Sequence, residues 1–223
     1  MRQRIIENLP RDVGDSDALS PVDRERFLVY VMGPYRTFDV EALLPDDAEP
    51  TDDALPSFAT WNERSGAYAE DDVLRLLQET RDCLRDRGFN AFLAIDVGIE
   101  LDAMDAATQS IEFARASNAT AFVAPAVGDN LGVGIEIGSV LEDMLGGRER
   151  DGDPAETASA RRAERFMVAT EPDVRSAMLG AVQTRWDGSV RTFDDADDLC
   201  RVCAQFCTHI QNEEVYGDLP RRK

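Results

Sequence analysis

The chain has 223 residues, with 44 Asp and Glu against 24 Lys and Arg, and a formal net charge of −20. Its only lysine is Lys223, and such a composition is typical of proteins adapted to molar salt, in which ions screen the repulsion between carboxylates. The charge disfavours nucleic acid as a partner, and no apolar run approaches the ~20 residues of a membrane span. With no signal-peptide core at its N-terminus, the chain is expected to be cytoplasmic.

The length favours one domain with extensions rather than two domains. We expect an N-terminal extension over residues 1–26, a single α/β domain over residues 27–212 and a C-terminal tail over residues 213–223. The acidic, proline-rich residues 37–70 predict a surface insertion within the domain.

Short apolar segments alternate with helical patterns along the chain. Strands are predicted at 26–36 (ending in a Gly-Pro turn), 90–96, 118–126, 165–170 and 189–193. Helices are predicted at 71–88, 105–117, 134–145, 172–183 and 195–214. This alternation predicts an α/β fold with a five-stranded parallel sheet covered by helices on both faces. Ligands of such sheets bind at the carboxyl ends of the strands.

The segment "DNLGVGIEIGS" (129–139) is the strongest functional signal in the sequence. Gly132 and Gly134 allow a ligand or backbone to approach closely, and the predicted helix N-terminus offers free N–H groups. The helix macrodipole keeps Glu136 ionised in the first turn, which suits a nucleophile or a base that binds hydroxyl groups. The alternative is that Glu136 caps the helix and the glycines serve only tight packing. A dinucleotide-binding fingerprint fits less well, because it should follow the first strand.

The segment "GPYR" closes the first predicted strand. Gly33 and Pro34 form a turn, so Tyr35 and Arg36 project from the carboxyl end of the sheet. Tyr35 could stack on a ligand or hydrogen-bond to it, and Arg36 could hold a phosphate or carboxylate. The alternative is a packed aromatic ring and a surface arginine.

Together, "VMGPYR" and "NLGVGIEIG" resemble the nucleoside 2-deoxyribosyltransferase superfamily, which includes nucleotide N-glycosidases. In that family a first strand runs into a G-P-[FY] turn, and a later D-x-G-x-x-x-E-x-G segment supplies the catalytic glutamate. The likeness covers residues 27–145. It implies a Rossmann-like (flavodoxin-like) three-layer sandwich with strand order 2-1-3-4-5, a nucleoside or nucleotide as substrate, no cofactor, and a homo-oligomer.

The resemblance also implies roles for individual residues. Glu136 would attack the anomeric carbon, and another base or water would intercept the covalent glycosyl-enzyme. Asn130 stands where the family has an acid that handles the base, and a second family acid falls near Ser110. The residues expected around the substrate are Gly33, Pro34, Tyr35, Arg36, Asp96, Asp105, Ser110, Gly132 and Gly134.

Asn130 and Ser110 leave two functional alternatives open. Asp96, Asp102 and Asp105 are the nearby acids that offer a replacement for the family's carboxylates. An amide cannot exchange a proton as a carboxylate does, so a nucleotide hydrolase fits better than a transferase of the usual form. The other hypothesis is a nucleotide-sensing or interaction module that has lost catalysis on the same scaffold.

The four cysteines are expected to be reduced and to form no disulfide, as is usual for intracellular proteins. Cys200, Cys203 and Cys207 follow an i, i+3, i+7 pattern on the last predicted helix, which indicates a buried stripe. His209 points away from that stripe, so one helix cannot surround a zinc ion with these four groups. We therefore expect no metal.

Overall fold

The computed structural model describes residues 1–9, 27–33, 70–100, 102–125, 163–172, 174, 182 and 189–222. Its strands are β1 (Leu28–Met32), β2 (Asn90–Phe92), β3 (Ala119–Ala124), β4 (Phe166–Thr170) and β5 (Ser189–Thr192). Its helices are α1 (Arg2–Asn8), α2 (Glu70–Asp86), α3 (Ala106–Ala116) and α4 (Ala196–Val215), with a 3₁₀ turn at Ala94–Val97. The predicted helices at 134–145 and, for the most part, 172–183 lie outside the described residues, as does nearly all of the predicted insertion at 37–70.

The five strands form one parallel sheet of order β2-β1-β3-β4-β5. The strand order is the one that the resemblance implied, so the predicted α/β fold and its topology are confirmed. β1 lies between β2 and β3, with Tyr30 opposite Phe92 on one side and Thr120 on the other. The chain therefore reverses its direction of winding at β1, because β2 is added on one side of it and β3 on the other.

Alternate residues of the strands face two apolar layers. On one face Tyr30 packs with Phe92 and Phe113, the ring centroids being 5.2 and 5.6 Å away, beneath α1 and α3. On the other face Val29 and Val31 pack beneath α2 and α4. The period-two alternation places these two sets on opposite sides of the sheet. Helices thus cover both faces, as the apolar strands require.

Residues at both ends of the chain pack onto this sheet. Ile5 of α1 is fully buried against the β1–α3 face, and Asn8 donates a hydrogen bond to the carbonyl of Val97 at 3.2 Å. Near the other end, Leu219 is buried and Arg222 donates to carbonyl oxygens of the last turn of α3. Within the described residues, every helix is too short or too polar to cross a lipid bilayer.

β2 is shorter than the predicted strand at 90–96. The strand ends at Phe92 and the chain leaves the extended conformation after Leu93, whose backbone N–H donates a hydrogen bond to the carboxylate of Asp96 at 2.9 Å. That contact closes the 3₁₀ turn Ala94–Val97, which Gly98 ends in a left-handed conformation (φ 63°). Glycine adopts this conformation without the steric cost that a Cβ would bring.

A disulfide joins α2 to α4 through Cys83 and Cys200, whose Cα atoms are 6.2 Å apart. The prediction that the chain forms no disulfide is therefore wrong. The two positions are separated by 117 residues, and only the packing of the two helices brings them within the distance a disulfide needs. Cys203 and Cys207 are free and buried, which confirms the predicted inward stripe of α4.

A buried polar network closes the amino edge of the sheet. The side chain of Asn118, just before β3, accepts from the N–H of Leu28 at 3.0 Å and donates to both carboxylate oxygens of Glu214 at 3.0 Å. Arg165, just before β4, donates to the Glu214 carboxylate and, at 2.9 Å, to the carbonyl of Asn118. The side chains of Arg165 and Glu214 are only 5% exposed. The network therefore links β1, β3 and β4 to the last turn of α4.

We predict that Glu214→Ala lowers the free energy of unfolding by about 3–5 kcal/mol, because it leaves the guanidinium of Arg165 buried without its counter-charge. Denaturant unfolding measured at constant salt checks this. The matched control is Arg201→Ala, which removes the exposed Arg201–Asp198 pair of the same helix and should leave the midpoint unchanged. Equal effects of the two changes would contradict the role of the network.

Candidate functional site

The two strands that precede the sequence motifs end side by side at the carboxyl edge of the sheet. β1 and β3 are adjacent, and Met32 at the end of β1 lies opposite Phe122 near the end of β3. Gly33 follows β1 and Pro125 follows β3, so the segments 34–69 and 126–162 both leave the sheet at this edge. Pro34, Tyr35, Arg36, Asn130, Gly132, Gly134 and Glu136 lie in those segments, outside the described residues.

Gly33 is the one member of the predicted "GPYR" turn that lies among the described residues. Its Cα lies close to β3 and to α2. A Cβ atom placed on Gly33 would lie 3.0 Å from the carbonyl oxygen of Val123 and 3.0 Å from Cδ2 of Leu77. Both distances are shorter than ordinary van der Waals contact, and the carbonyl belongs to the backbone of β3. A glycine at this position therefore lets the chain leave β1 in contact with both β3 and α2.

Asp96 is held by two arginines of α2. Arg81 donates to one carboxylate oxygen at 2.7 Å, and Arg85 donates to the other at 3.3 Å. The second oxygen also accepts from the N–H of Leu93. The side chains of all three charged residues are at most 18% exposed. These contacts give Asp96 a structural role, which is to shape the turn after β2.

Asp105 is the N-cap of α3. Its carboxylate accepts from the N–H of Thr108 at 2.9 Å and from the Thr108 hydroxyl at 2.6 Å. These hydrogen bonds lower the pKa of Asp105, the hydroxyl contributing most. The unfolded carboxyl titrates near 3.9, so the cap stabilises the fold above about pH 4 and is lost as the pH falls through the lowered pKa.

Ser110 lies about one and a half turns further along α3, on the side that faces the sheet. It is 7% exposed, and Phe113 and Ala114, three and four residues later, are buried in the core. α3 begins at the carboxyl edge, since it leads from that edge back to the start of β3. Asp105 and Ser110 therefore lie toward this edge, in the half of α3 nearest to the predicted site.

A cleft of about 230 Å³ lies at the same edge, on the opposite face of the sheet. We call it the α2–α4 cleft, because one wall is Val73–Glu79 of α2 and the other is Asp194–Ala196 at the start of α4. Pro125, Glu171 and Phe193, the residues that follow β3, β4 and β5, complete it.

The α2–α4 cleft was missed in the sequence, although one signal for it is present. An acidic run such as the one that precedes α4 is usually solvated surface, but Asp194 and Asp195 line the cleft. Glu79 and Glu171 add two more carboxylates, against one guanidinium from Arg75. Gly33, Asp96, Asp105 and Ser110 do not line it. The described part of the cleft is therefore electronegative, which disfavours phosphate there.

Comparison with known proteins identifies a family but no activity. The model of the DUF7509 family, described as a domain of unknown function, matches residues 2–223. The chain belongs to the DUF7509 family. No curated protein and no solved structure matches the chain. What is shown for this DUF7509 protein is therefore its family and its Rossmann-like parallel sheet.

The cysteines of α4 offer poor metal ligands. Cys200 is in the disulfide, burial raises the pKa of Cys203 to about 12, and burial also raises the pKa of Cys207 well above its ordinary value. Zinc binds thiolates, which are disfavoured at such positions. Within the part of the chain that the structure describes, no three His, Cys, Asp or Glu side chains are grouped to hold a metal ion.

We predict that metal analysis of the purified DUF7509 protein detects no stoichiometric zinc, since its buried thiols stay protonated. Elemental analysis after dialysis against chelator-free, high-salt buffer checks this. One zinc ion per chain would contradict the interpretation of Cys203 and Cys207 as core residues.

We also predict that Asp96→Asn lowers the free energy of unfolding by about 2 kcal/mol, because hydrogen bonds to charged groups contribute ~1.5–3 kcal/mol and the amide cannot accept from both arginines. Denaturant unfolding measures the effect. The control is Asp102→Asn, at an exposed position of the loop that follows, which should leave the midpoint unchanged. An unchanged midpoint for Asp96→Asn would point away from a structural role.

Proposed function

We propose that this DUF7509 protein cleaves or exchanges the N-glycosidic bond of a nucleoside or nucleotide, with Glu136 as nucleophile. The observation that carries the proposal is the adjacency of β1 and β3 in the parallel sheet. The segment with Tyr35 and Arg36 and the segment with Asn130 and Glu136 begin at the same edge of neighbouring strands. This is the arrangement that the resemblance to nucleoside 2-deoxyribosyltransferases requires.

The position of β2 in the same sheet gives a second reason to expect a ligand there. In open α/β sheets ligands bind outside the carboxyl ends of the strands at the point where the strand order reverses. In this sheet that point lies between β1 and β3, because β2 lies on the other side of β1. Gly33 lies at this point, and its lack of a side chain permits the close contact with Val123.

The proposed chemistry assigns a separate task to each residue. The carboxylate of Glu136 attacks the anomeric carbon while the base departs, and the resulting glycosyl ester is then attacked by water or by another base. Tyr35 stacks on the base, and Arg36 pairs with a phosphate when the substrate carries one. Asn130 hydrogen-bonds the base without exchanging a proton, so water has to supply the proton that the leaving base takes up.

One observation favours a nucleotide-sensing module as the second candidate. The family's acids are replaced by Asn130 and Ser110, and two acids that could compensate are engaged elsewhere. Asp96 is bound by two arginines, and Asp105 caps α3 through Thr108. A site without a proton-exchanging carboxylate next to the nucleophile supports binding more readily than turnover.

We predict that Glu136→Gln reduces release of free base by about 10³-fold or more while ligand affinity changes far less, because the amide retains the shape but not the nucleophile. A panel of nucleosides and nucleotides in molar KCl, with base release and equilibrium binding both measured, checks this. Glu142→Gln is the matched control, since it makes the same change in charge on the same predicted helix, outside the motif.

Three results are distinguishable. Base release by the wild type and by Glu142→Gln, but not by Glu136→Gln, supports the nucleophile. Binding without release by all three proteins supports the sensing module. Base release by Glu136→Gln at the rate of the wild type rules out the proposed role of this residue.

A further inference from the structure

The disulfide lies one helical turn away from the α2–α4 cleft. Cys83 follows the cleft residue Glu79 by four positions in α2, and Cys200 follows the cleft residue Ala196 by four positions in α4. Residues four apart lie on the same face of a helix, with Cβ atoms about 5–6 Å apart. The covalent bond therefore fixes the distance between the two helices directly beside the cleft that they line.

The two cysteines of the disulfide differ in exposure. Cys83 is partly exposed, whereas Cys200 is buried at 3% exposure. A thiolate has to reach a sulfur atom in order to open a disulfide, and the exchange rate depends on that access. Attack from solvent is therefore directed at the sulfur of Cys83, with Cys200 as the leaving group.

The neighbouring thiols do not open the bond from inside. Cys203, one turn from Cys200, is fully buried, and its pKa is raised to about 12 by burial. A thiol of this kind is hardly ever a thiolate near neutral pH, so it is a poor nucleophile. The disulfide thus depends on external thiols for its reduction.

The helices keep a shared apolar contact when the disulfide is absent. Leu77 and Leu84 of α2 are buried in the same cluster as Leu199 and Phe206 of α4. Apolar burial of this kind holds two helices together without a covalent bond. A folded reduced state is therefore available to the protein.

We propose that Cys83–Cys200 is a thiol-exchange site at which an external thiol reductant breaks the covalent link between α2 and α4 and loosens the α2–α4 cleft. A reductant thiolate attacks the sulfur of Cys83, forms a mixed disulfide and expels the thiolate of Cys200, which takes a proton from water. A second reductant thiolate then attacks the reductant's sulfur in the mixed disulfide and expels the thiolate of Cys83. Two reductant thiols are oxidised to one disulfide, and two protein thiols are formed.

Hydrogen exchange of the folded full-length protein tests the proposal. The wild type is compared in oxidised and reduced dithiothreitol at constant salt, and thiols are counted in each state after denaturation and alkylation. We expect two thiols in the oxidised form and four in the reduced form, since Cys203 and Cys207 are the free pair. On reduction, amides of residues 73–79 and 196–200 should exchange about tenfold faster.

Cys83→Ser provides the matched variant. It lacks the disulfide at a partly exposed position, so its exchange rates at the cleft should equal those of the reduced wild type and should not respond to dithiothreitol. Amides of β1 and β3 serve as internal references that report global unfolding.

Several outcomes would overturn the proposal. Four thiols in the protein treated with oxidised dithiothreitol would mean that the disulfide does not form. Reduction only in denaturant would mean that it is closed to exchange. Equal hydrogen-exchange rates at the cleft in the two redox states would show that the disulfide does not restrain the helices that line it. None of these measurements depends on base release, so they stand or fall independently of the role of Glu136.

Discussion

The buried network of Arg165, Glu214 and Asn118 is the interaction on which the arrangement of the sheet depends. Removing an ion pair from water costs several kcal/mol per ion, so such a pair is tolerated only when its remaining polar atoms are also bonded. Arg165 satisfies this through the carbonyls of Asn118 and Pro220, and Glu214 through the amide of Asn118. Because Asn118 also binds the N–H of Leu28, a shift in the order of β1, β3 and β4 would leave buried polar atoms without partners. The amino edge thus specifies the topology, and the opposite edge carries the proposed site.

The use of arginine fits the large negative charge of the chain. Surface ion pairs are screened in salt, whereas buried ones are screened much less. The guanidinium supplies up to five donors in a planar fork, and an ammonium cannot bridge a carboxylate and several carbonyls in the same way. Arg165 does so at the start of β4, and Arg81 and Arg85 enclose Asp96. At these three positions the geometry of the guanidinium therefore matters more than its charge alone.

Local patterns in the sequence predicted individual helices and strands. The features that they did not predict depend on contacts between residues far apart in the chain. The spacing of apolar residues located α2, α3 and α4, and apolar runs located β1, β3 and β4. The strand order came from the resemblance, since nothing in the periodicity of β1 indicates that β2 lies on one side of it and β3 on the other. The Cys83–Cys200 bond could not be predicted, because it joins positions 117 residues apart that only tertiary packing brings together.

The same difference between local patterns and long-range contacts applies to the candidate site. The sequence indicated that Asp96 and Asp105 lie near the ends of elements at the carboxyl edge, and both do. It could not indicate that the carboxylate of Asp96 is taken up by arginines from α2, or that Asp105 is engaged by Thr108. A residue type and a position suggest a chemical role, but the partners that remove a carboxylate from catalysis are set by the fold. For that reason the proposed mechanism relies on the carboxylate of Glu136 rather than on that of Asp96 or Asp105.

α2 connects the cleft to the proposed glycosidic site. Leu76 lines the α2–α4 cleft, while the adjacent Leu77 lies against Gly33 so closely that a Cβ there would be 3.0 Å from it. Gly33 in turn begins the segment that carries Tyr35. Packed interiors transmit small displacements because they contain few voids to absorb them. A movement of α2 away from α4 would change the packing of Leu77 against Gly33. The two proposals are linked in this way, because that packing lies where the chain leaves β1 toward the proposed ligand site.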